Sequence, residues 1–206
     1  KPFIYSASLE KGFTPSTLIN DAALSIDPDL TGGQVWEPKN YDGKFEGPLR
    51  LRQGLAKSKN LVSIRILQAI GPRFAQDWIT RFGFEADKHP AYLTMALGAG
   101  SVTPWVLLNG YSVFANGGYG LQLHLISKVT DANGKTLMEA KPVTAGDKAV
   151  RVLNERNAFV MDSLLKEVAR TGTAARASAI LKRGDIVGNG LIDTGGIVWV
   201  VAADDL

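Results

Sequence analysis

Two helical runs of leucine and isoleucine meet at a three-residue polar corner, and no other feature of the chain limits its folding choices so strongly. Leu49, Leu51 and Leu55 begin one helical pattern, which breaks at Ser58-Lys59-Asn60; Leu61, Ile64, Leu67 and Ile70 resume it at spacings of three. The spacing predicts two helices flanking a polar corner. Ser58 and Asn60 together fit S-x-N, a pattern in which a hydroxyl and a carboxamide point from a loop between helices into a cleft. Taken alone the pattern is weak, because eleven serines and nine asparagines in 206 residues give about 0.5 such spacings by chance. A helix-capping corner explains it equally well.

The rest of the chain supplies the context. Residues 1–12 read as a short helix with Phe3, Ile4, Ala7 and Leu9 on one side and Gly12 as its stop. Residues 13–48 turn polar and rich in Gly, Pro, Asn and Asp, which predicts an irregular excursion with short extended pieces, of a length that is often functional. Helices are expected over 73–82, ended by Gly83, and over 152–170, with Phe159, Met161, Leu164, Leu165 and Val168 facing inward. Residues 93–113 carry the apolar density of a buried helix, with a start signal at Ser101-Val102-Thr103-Pro104. Asn116-Gly117-Gly118 reads as a turn, 121–130 and 135–140 as a hairpin with Asn133-Gly134 at its tip, and 197–201 as a buried strand. No internal repeat is present.

Composition removes several classes of function. Apolar residues make up 45% of the chain and charged residues 21%, as suits a soluble globular domain with one sizeable core. The net charge of +3 is interspersed, so no basic face suited to nucleic acid is expected. No run approaches the roughly 20 apolar residues that span a bilayer, and no signal-peptide pattern opens the chain. With no cysteine, disulfides, thiol nucleophiles and thiolate metal sites are impossible. His89 and His124 lie far apart in sequence and cannot form the usual zinc pairings, so neither a metal nor a cofactor is expected. The chain opens on Lys1 inside what already reads as a helix, and is expected to be an internal fragment.

Several ordered blocks resolve the meaning of the corner. Lys1-Pro2-Phe3-Ile4-Tyr5, Trp36-Glu37-Pro38-Lys39-Asn40-Tyr41, Leu49-Arg50 through Ser58-Lys59-Asn60, and the run from Ala96 to Pro104 resemble successive signatures of class A penicillin-binding proteins. Tyr111 to Tyr119, Arg156-Asn157-Ala158-Phe159 and Gly172-Thr173-Ala174 continue the resemblance to about residue 188. It implies an α+β fold of the serine β-lactamase/D,D-transpeptidase type, an antiparallel sheet flanked by helices, with residues 1–206 supplying part of a transpeptidase domain and mostly its helical lobe. It also implies a bifunctional parent on the periplasmic side of the cell inner membrane, whose glycosyltransferase domain and membrane anchor lie outside this chain. The implied partners are peptidoglycan stem peptides and β-lactam antibiotics.

The family's site combines S-x-x-K, S-x-N and K-T-G, and its implied chemistry is serine acyl transfer. By resemblance, Lys1 matches the lysine of the first motif, with the nucleophilic serine three positions before the chain begins, so the chain alone is expected to be inactive. Ser58 and Asn60 match the second motif, the serine in a proton relay and the asparagine as a hydrogen-bond partner of substrate or lysine. The third motif departs from the family, because Asp185-Ile186-Val187-Gly188 is followed by Asn189-Gly190-Leu191 where K-T-G belongs, although Trp199 keeps the place of the family's next tryptophan. A non-catalytic peptidoglycan-binding module and a related β-lactamase or D,D-carboxypeptidase therefore remain alternatives.

Other candidates read as structural. Ser8-x-x-Lys11 and Ser163-x-x-Lys166 sit in helix interiors, Arg170-Thr171-Gly172 ends a helix, and Asp193-Thr194-Gly195 lacks the second copy an aspartic protease dyad needs. His89 reads as a surface or capping residue, His124 falls in an expected strand, and Trp36 and Tyr41 read more readily as loop anchors than as groove lining.

Overall fold

In the computed structural model, the residues described are 1–28, 35–141, 148–182, 191–193 and 196–198. Helix α1, Pro2–Glu10, begins with proline at a first-turn position where the missing N–H costs nothing, and the chain leaves it through Gly12 in a left-handed conformation. Every residue from Pro2 to Ser8 is buried. The one-sided helix expected from Phe3, Ile4, Ala7 and Leu9 is thus enclosed all round, and the elements that follow are arranged about it.

After α1 the chain forms strand β1, Leu18–Asp21, and returns in β2, Gly47–Arg50, antiparallel to it with Ile19 opposite Leu49. Leu49 therefore belongs to a strand rather than to the following helix, its side chain buried by the period-2 alternation of β2. Helices α2, Leu51–Ala56, and α3, Asn60–Ile70, flank the corner as the leucine pattern predicts. Gly71 then turns the chain into α4, Pro72–Thr80. The expected helix over 93–113 is divided: Leu93–Leu97 form a 3₁₀ turn stopped by left-handed Gly98, and α5 is Pro104–Ala115, N-capped by the Thr103 hydroxyl. Trp105 and Leu108 of α5 are exposed, so this helix is only half buried.

The hairpin appears where Asn133-Gly134 placed it, but shorter, with β3 Lys128–Thr130 and β4 Thr136–Glu139. His124 consequently lies in exposed irregular chain and not in a strand. Helix α6, Glu155–Thr171, is followed by α7, Ala175–Leu181, and by an antiparallel pair, β5 Leu191–Asp193 and β6 Gly196–Val198. Residues 199–201 of the expected last strand, with Trp199, lie outside the described residues. In α6 the buried stripe runs through Asn157, Ala158, Met161, Leu164, Leu165 and Val168. Phe159 falls off that stripe and is 74% exposed, because it sits two residues from Met161 and so on the far side of a 3.6-residue turn. The described sheets are three two-stranded antiparallel ribbons beside a dominant helical body, an α+β architecture.

Helices α3, α4 and α6 all pack against α1. Phe3 sits edge-on to Phe82, Phe84 and Tyr111, with centroids 4.9, 4.7 and 5.3 Å away, and so joins α1 to the chain after α4 and to α5. The polar atoms carried into this core are satisfied. Ser6 Oγ donates to Asn157 Oδ1 at 2.9 Å and accepts from Trp78 Nε1 at 3.2 Å, while Asn157 Nδ2 donates to the Ser6 carbonyl at 2.9 Å. Among the described residues no helix is long and apolar enough to cross a membrane.

Two glycines let the helices around the corner approach closely. A Cβ on Gly54 would lie 2.5 Å from Val62 Cγ1, and one on Gly172, which ends α6, would lie 2.1 Å from the Ala56 carbonyl oxygen. Gly172→Ala and Gly54→Ala are each expected to cost about 1–3 kcal/mol through overpacking. The loss is larger at Gly172, where the obstacle is backbone that cannot rotate away. Denaturant unfolding of the domain checks both, the expected result being a lowered midpoint for each variant and the lower of the two for Gly172→Ala.

Candidate active site

The corner is a helix stop and a helix start fused within three residues. The Ser58 N–H donates to the Leu55 carbonyl at 2.9 Å and the Lys59 N–H to the Gly54 carbonyl at 2.9 Å, the paired bonds of a Schellman cap. Ser58 occupies the left-handed position of that cap with φ 53°, where glycine is the usual residue. Lys59 returns to extended backbone and serves as N-cap of α3, but its own side chain makes no capping bond. The cap comes from a distant residue: Asn40 Oδ1 accepts from the Asn60 N–H at 2.9 Å and from the Leu61 N–H at 3.3 Å.

Lys1, at the start of α1, reaches this bend. Its Nζ donates to the Ser58 carbonyl at 2.8 Å, to Ser58 Oγ at 2.9 Å and to Asn60 Oδ1 at 2.7 Å. The orientation of Asn60 is fixed by its other end, since Nδ2 donates to the Lys39 carbonyl at 2.9 Å and leaves Oδ1 toward Lys1. The three residues singled out from the sequence, Lys1, Ser58 and Asn60, are therefore in direct contact. Burial lowers the Lys1 amine from 10.5 to about 8. The charged form thus weighs against the folded state below that pH, and the cost is relieved as pH rises from about 8 toward 10.5.

That shift matters chemically because only one partner of the amine can reverse its role. The Ser58 carbonyl and Asn60 Oδ1 can only accept, whereas the Ser58 hydroxyl accepts from an ammonium and donates to a neutral amine. A proton leaving or reaching Lys1 can therefore be compensated by rotation of one O–H. The amine faces a cleft of about 540 Å³. One wall is the corner with Asn40 and Tyr41; the other is apolar, with Met95, Val102 and Leu107.

Beside the corner lies a charged cluster that sequence reading missed, and two of its members, Lys59 and Asp42, also line the cleft. Lys59 is 3% exposed, and its ammonium meets Asp42 Oδ2 at 2.9 Å, Glu46 Oε1 at 3.0 Å and Asp21 Oδ2 at 3.5 Å. Burial alone would depress the Lys59 ammonium, but hydrogen bonds to Asp42 and Glu46 and the charge of Asp21 outweigh it, and its pKa is raised. Hydrogen bonding to Lys59 holds Asp42 below the usual carboxylate range, and Lys57 and then Lys59 do the same for Glu46. Asn40 Nδ2 joins the cluster to the cap by donating to Asp21 Oδ1 at 2.6 Å. The only sequence sign of this arrangement was the Gly-, Pro-, Asn- and Asp-rich composition of residues 13–48, which does not tell that Asp21, Asp42 and Glu46 meet on Lys59. Among the described residues no group of three or more His, Asp or Glu side chains is placed to hold a metal ion, since these carboxylates converge on Lys59.

Two aromatic readings change. His89 is buried in the cleft wall, its Nδ1 2.9 Å from the Glu85 carbonyl and its ring edge-on to Phe84, because Gly100 leaves no Cβ to displace it. Tyr41 is 93% exposed on the cleft rim and so anchors nothing, whereas Trp36 pairs with Ile26 and packs on the core. The other two S-x-x-K serines stay out of the cleft: Ser8 Oγ donates to the Tyr5 carbonyl at 2.7 Å, and Ser163 Oγ accepts from Arg52 at 3.0 Å. Arg170-Thr171-Gly172 does end α6. Asp185 to Gly190 and Thr194-Gly195 lie outside the described residues.

Comparison with known proteins agrees along most of the chain. The family model "Penicillin binding protein transpeptidase domain" matches residues 1–184. Penicillin-binding protein 1A of Neisseria flavescens is 50% identical over 188 residues, covering 91% of this chain and 23% of that protein. Penicillin-binding protein 1A of Pseudomonas aeruginosa is 37% identical over 233 residues, covering 91% and 28%. The crystal structure of penicillin-binding protein 1A from Haemophilus influenzae superposes with a TM-score of 0.83 at 36% identity, over 92% of this chain and 33% of that one. A D,D-transpeptidase domain from Eggerthella lenta shares the fold at 19% identity, with a TM-score of 0.71 over 95% and 53%. The chain spans less than a third of the length of the curated relatives described above.

The external cap makes Asn40 a test of how the corner is held. Asn40→Ala leaves the Asn60 and Leu61 N–H groups and a buried Asp21 oxygen without their partner, and is expected to destabilise the domain by about 1–3 kcal/mol. Thermal unfolding measures the loss, and an unchanged midpoint would show that the cap is dispensable.

Proposed function

The chain belongs to the penicillin-binding protein transpeptidase family, and from that membership we propose that its longer parent is a serine D,D-transpeptidase that cross-links peptidoglycan and is acylated by penicillins. The observation that carries this reading is the Lys1 amine bonded to Ser58 and Asn60 inside a cleft. The nucleophile in the proposal is a serine three positions before Lys1, a spacing that puts both side chains on one face of a helix.

Neutral Lys1 takes the proton of that serine as its oxygen attacks the carbonyl of the penultimate D-alanine of a stem peptide. The tetrahedral intermediate collapses, the peptide bond breaks, and the D-alanine amine leaves with a proton returned from Lys1 by way of Ser58. An amine from a neighbouring stem then attacks the acyl-serine and gives up its proton to Lys1, which passes it to the serine oxygen as the acyl–oxygen bond breaks and the new amide remains, so that serine and neutral Lys1 are both restored. A β-lactam follows only the first half, opening its ring amide and remaining on the serine. Asn60 orients Lys1 and offers its carboxamide edge to the substrate backbone. In this reading residues 1–206 are one part of the transpeptidase domain. The glycosyltransferase domain and membrane anchor belong to the rest of a parent that works outside the cytoplasmic membrane.

The departure at Asn189-Gly190-Leu191 from K-T-G favours a second reading, a module that binds peptidoglycan without acyl transfer. Fluorescent penicillin labelling of the full-length protein separates the two: a covalent label is expected, and its absence defeats the transpeptidase reading. Ser58→Ala is expected to slow labelling by about 10²-fold or more, the usual size of a proton-transfer contribution. With Lys1 at about 8, the labelling rate is expected to rise tenfold per pH unit below that value and to level above it. A flat rate between pH 6 and 9 contradicts a titrating Lys1 base.

A further inference from the structure

We infer that Lys59, the middle residue of the corner, is a positioning residue for acyl transfer, its buried ammonium fastening the 39–46 loop to the bend so that Ser58 and Asn60 meet Lys1 in one geometry. The inference rests on the transpeptidase reading for its activity readouts and on the geometry of the corner for the rest.

The Lys59 ammonium is held by carboxylates drawn from three places in the chain: Asp21 at the end of β1, Asp42 in the loop and Glu46 just before β2. These are the charged groups facing its ammonium, and Glu46 is shared with the Lys57 ammonium. One lysine thus holds together segments that otherwise repel one another. The consequences pass to the cleft through neutral groups. Asp21 Oδ2 accepts from the Glu46 N–H at 3.0 Å, and its Oδ1 accepts from Asn40, which caps α3 at Asn60 and Leu61. The same loop supplies the Lys39 carbonyl that sets which end of the Asn60 amide faces Lys1.

A lysine needed only for stability could be replaced by an apolar side chain together with its partners. Here the partners are the means by which the loop is registered on the corner. Removing the ammonium leaves Asp21, which has no exposed surface, beside two further carboxylates, and the loop must move to solvate them. A displacement on the order of 1 Å at the groups holding a catalytic amine costs about 10²-fold in rate.

The test uses the full-length protein with Lys59→Met and Asp42→Asn, the second acting at the solvent side of the cluster while Asp21 and Glu46 keep Lys59 paired. Three quantities are measured: the penicillin acylation rate from pH 6 to 9, the unfolding temperature, and hydrogen exchange at the Asn60 and Leu61 amides. Lys59→Met is expected to acylate about 10²-fold more slowly, with a displaced pH midpoint and faster exchange at both amides. Asp42→Asn is expected to show the same changes at a size of about 3- to 10-fold, between the wild type and Lys59→Met. A folded Lys59→Met protein that acylates at the wild-type rate with the wild-type midpoint overturns the inference. Should Lys59→Met fail to fold, Asp42→Asn decides, and wild-type rate and midpoint in that variant overturn it. If the wild type itself takes no label, the transpeptidase reading fails separately, and amide exchange alone judges Lys59: unchanged exchange in the variants overturns its positioning role.

Discussion

The amine of Lys1, partly buried against three oxygens of a single bend, is the contact around which the rest of the molecule is arranged. Withdrawing an amine from water is costly unless its donors are matched, and here the three acceptors come from two residues that are fixed by different parts of the fold. The Ser58 carbonyl and hydroxyl are placed by the Schellman cap of α2, and the Asn60 carboxamide by the start of α3 and by the Lys39 carbonyl. The amine itself arrives on α1, the helix that the core encloses on every side. A shift of any of these helices separates the partners, so core packing and the chemistry of the cleft are one problem.

Polar groups in the interior give the enclosing body its rigidity. Ser6 on α1 binds both Trp78 and Asn157, and Glu10 accepts from both Asn154 and Asn157 at 2.7 and 2.8 Å, linking the two ends of the chain's helical core. Such contacts have direction, which aliphatic packing lacks, and they fix the rotation of α1 about its own axis. That rotation decides where Lys1 points. The corner has a matching network in Asp21, Asn40 and Lys59, so the amine and its acceptors are each held by hydrogen bonds with fixed orientation.

Local pattern revealed the pieces that local forces build. The leucine spacing on either side of Ser58-Lys59-Asn60, the Asn133-Gly134 turn, and the glycines ending α1 and α6 were legible because each signal acts within a few residues. Lys1, Ser58 and Asn60 were legible through family resemblance, and the structure places the three in contact. The cap from Asn40 was not, because it crosses twenty residues, and neither was the burial of Lys59, whose three partners become neighbours only after β1 and β2 pair. Phe159 and His89 show opposite errors of one kind. An aromatic off the buried stripe of its helix is exposed, and a histidine beside a glycine that makes room for it is buried.

The left-handed backbone of Ser58 narrows the residues that can ever occupy that position. Glycine relieves the bend and removes the oxygen; threonine keeps the oxygen but carries a branched β-carbon that resists positive φ; asparagine tolerates the bend and offers an amide where a rotating O–H stood. No single replacement satisfies both the bend and the amine. Sequence change that alters what the cleft accepts is therefore channelled toward its rim and its apolar wall, around Tyr41, Met95 and Val102, where neither demand applies.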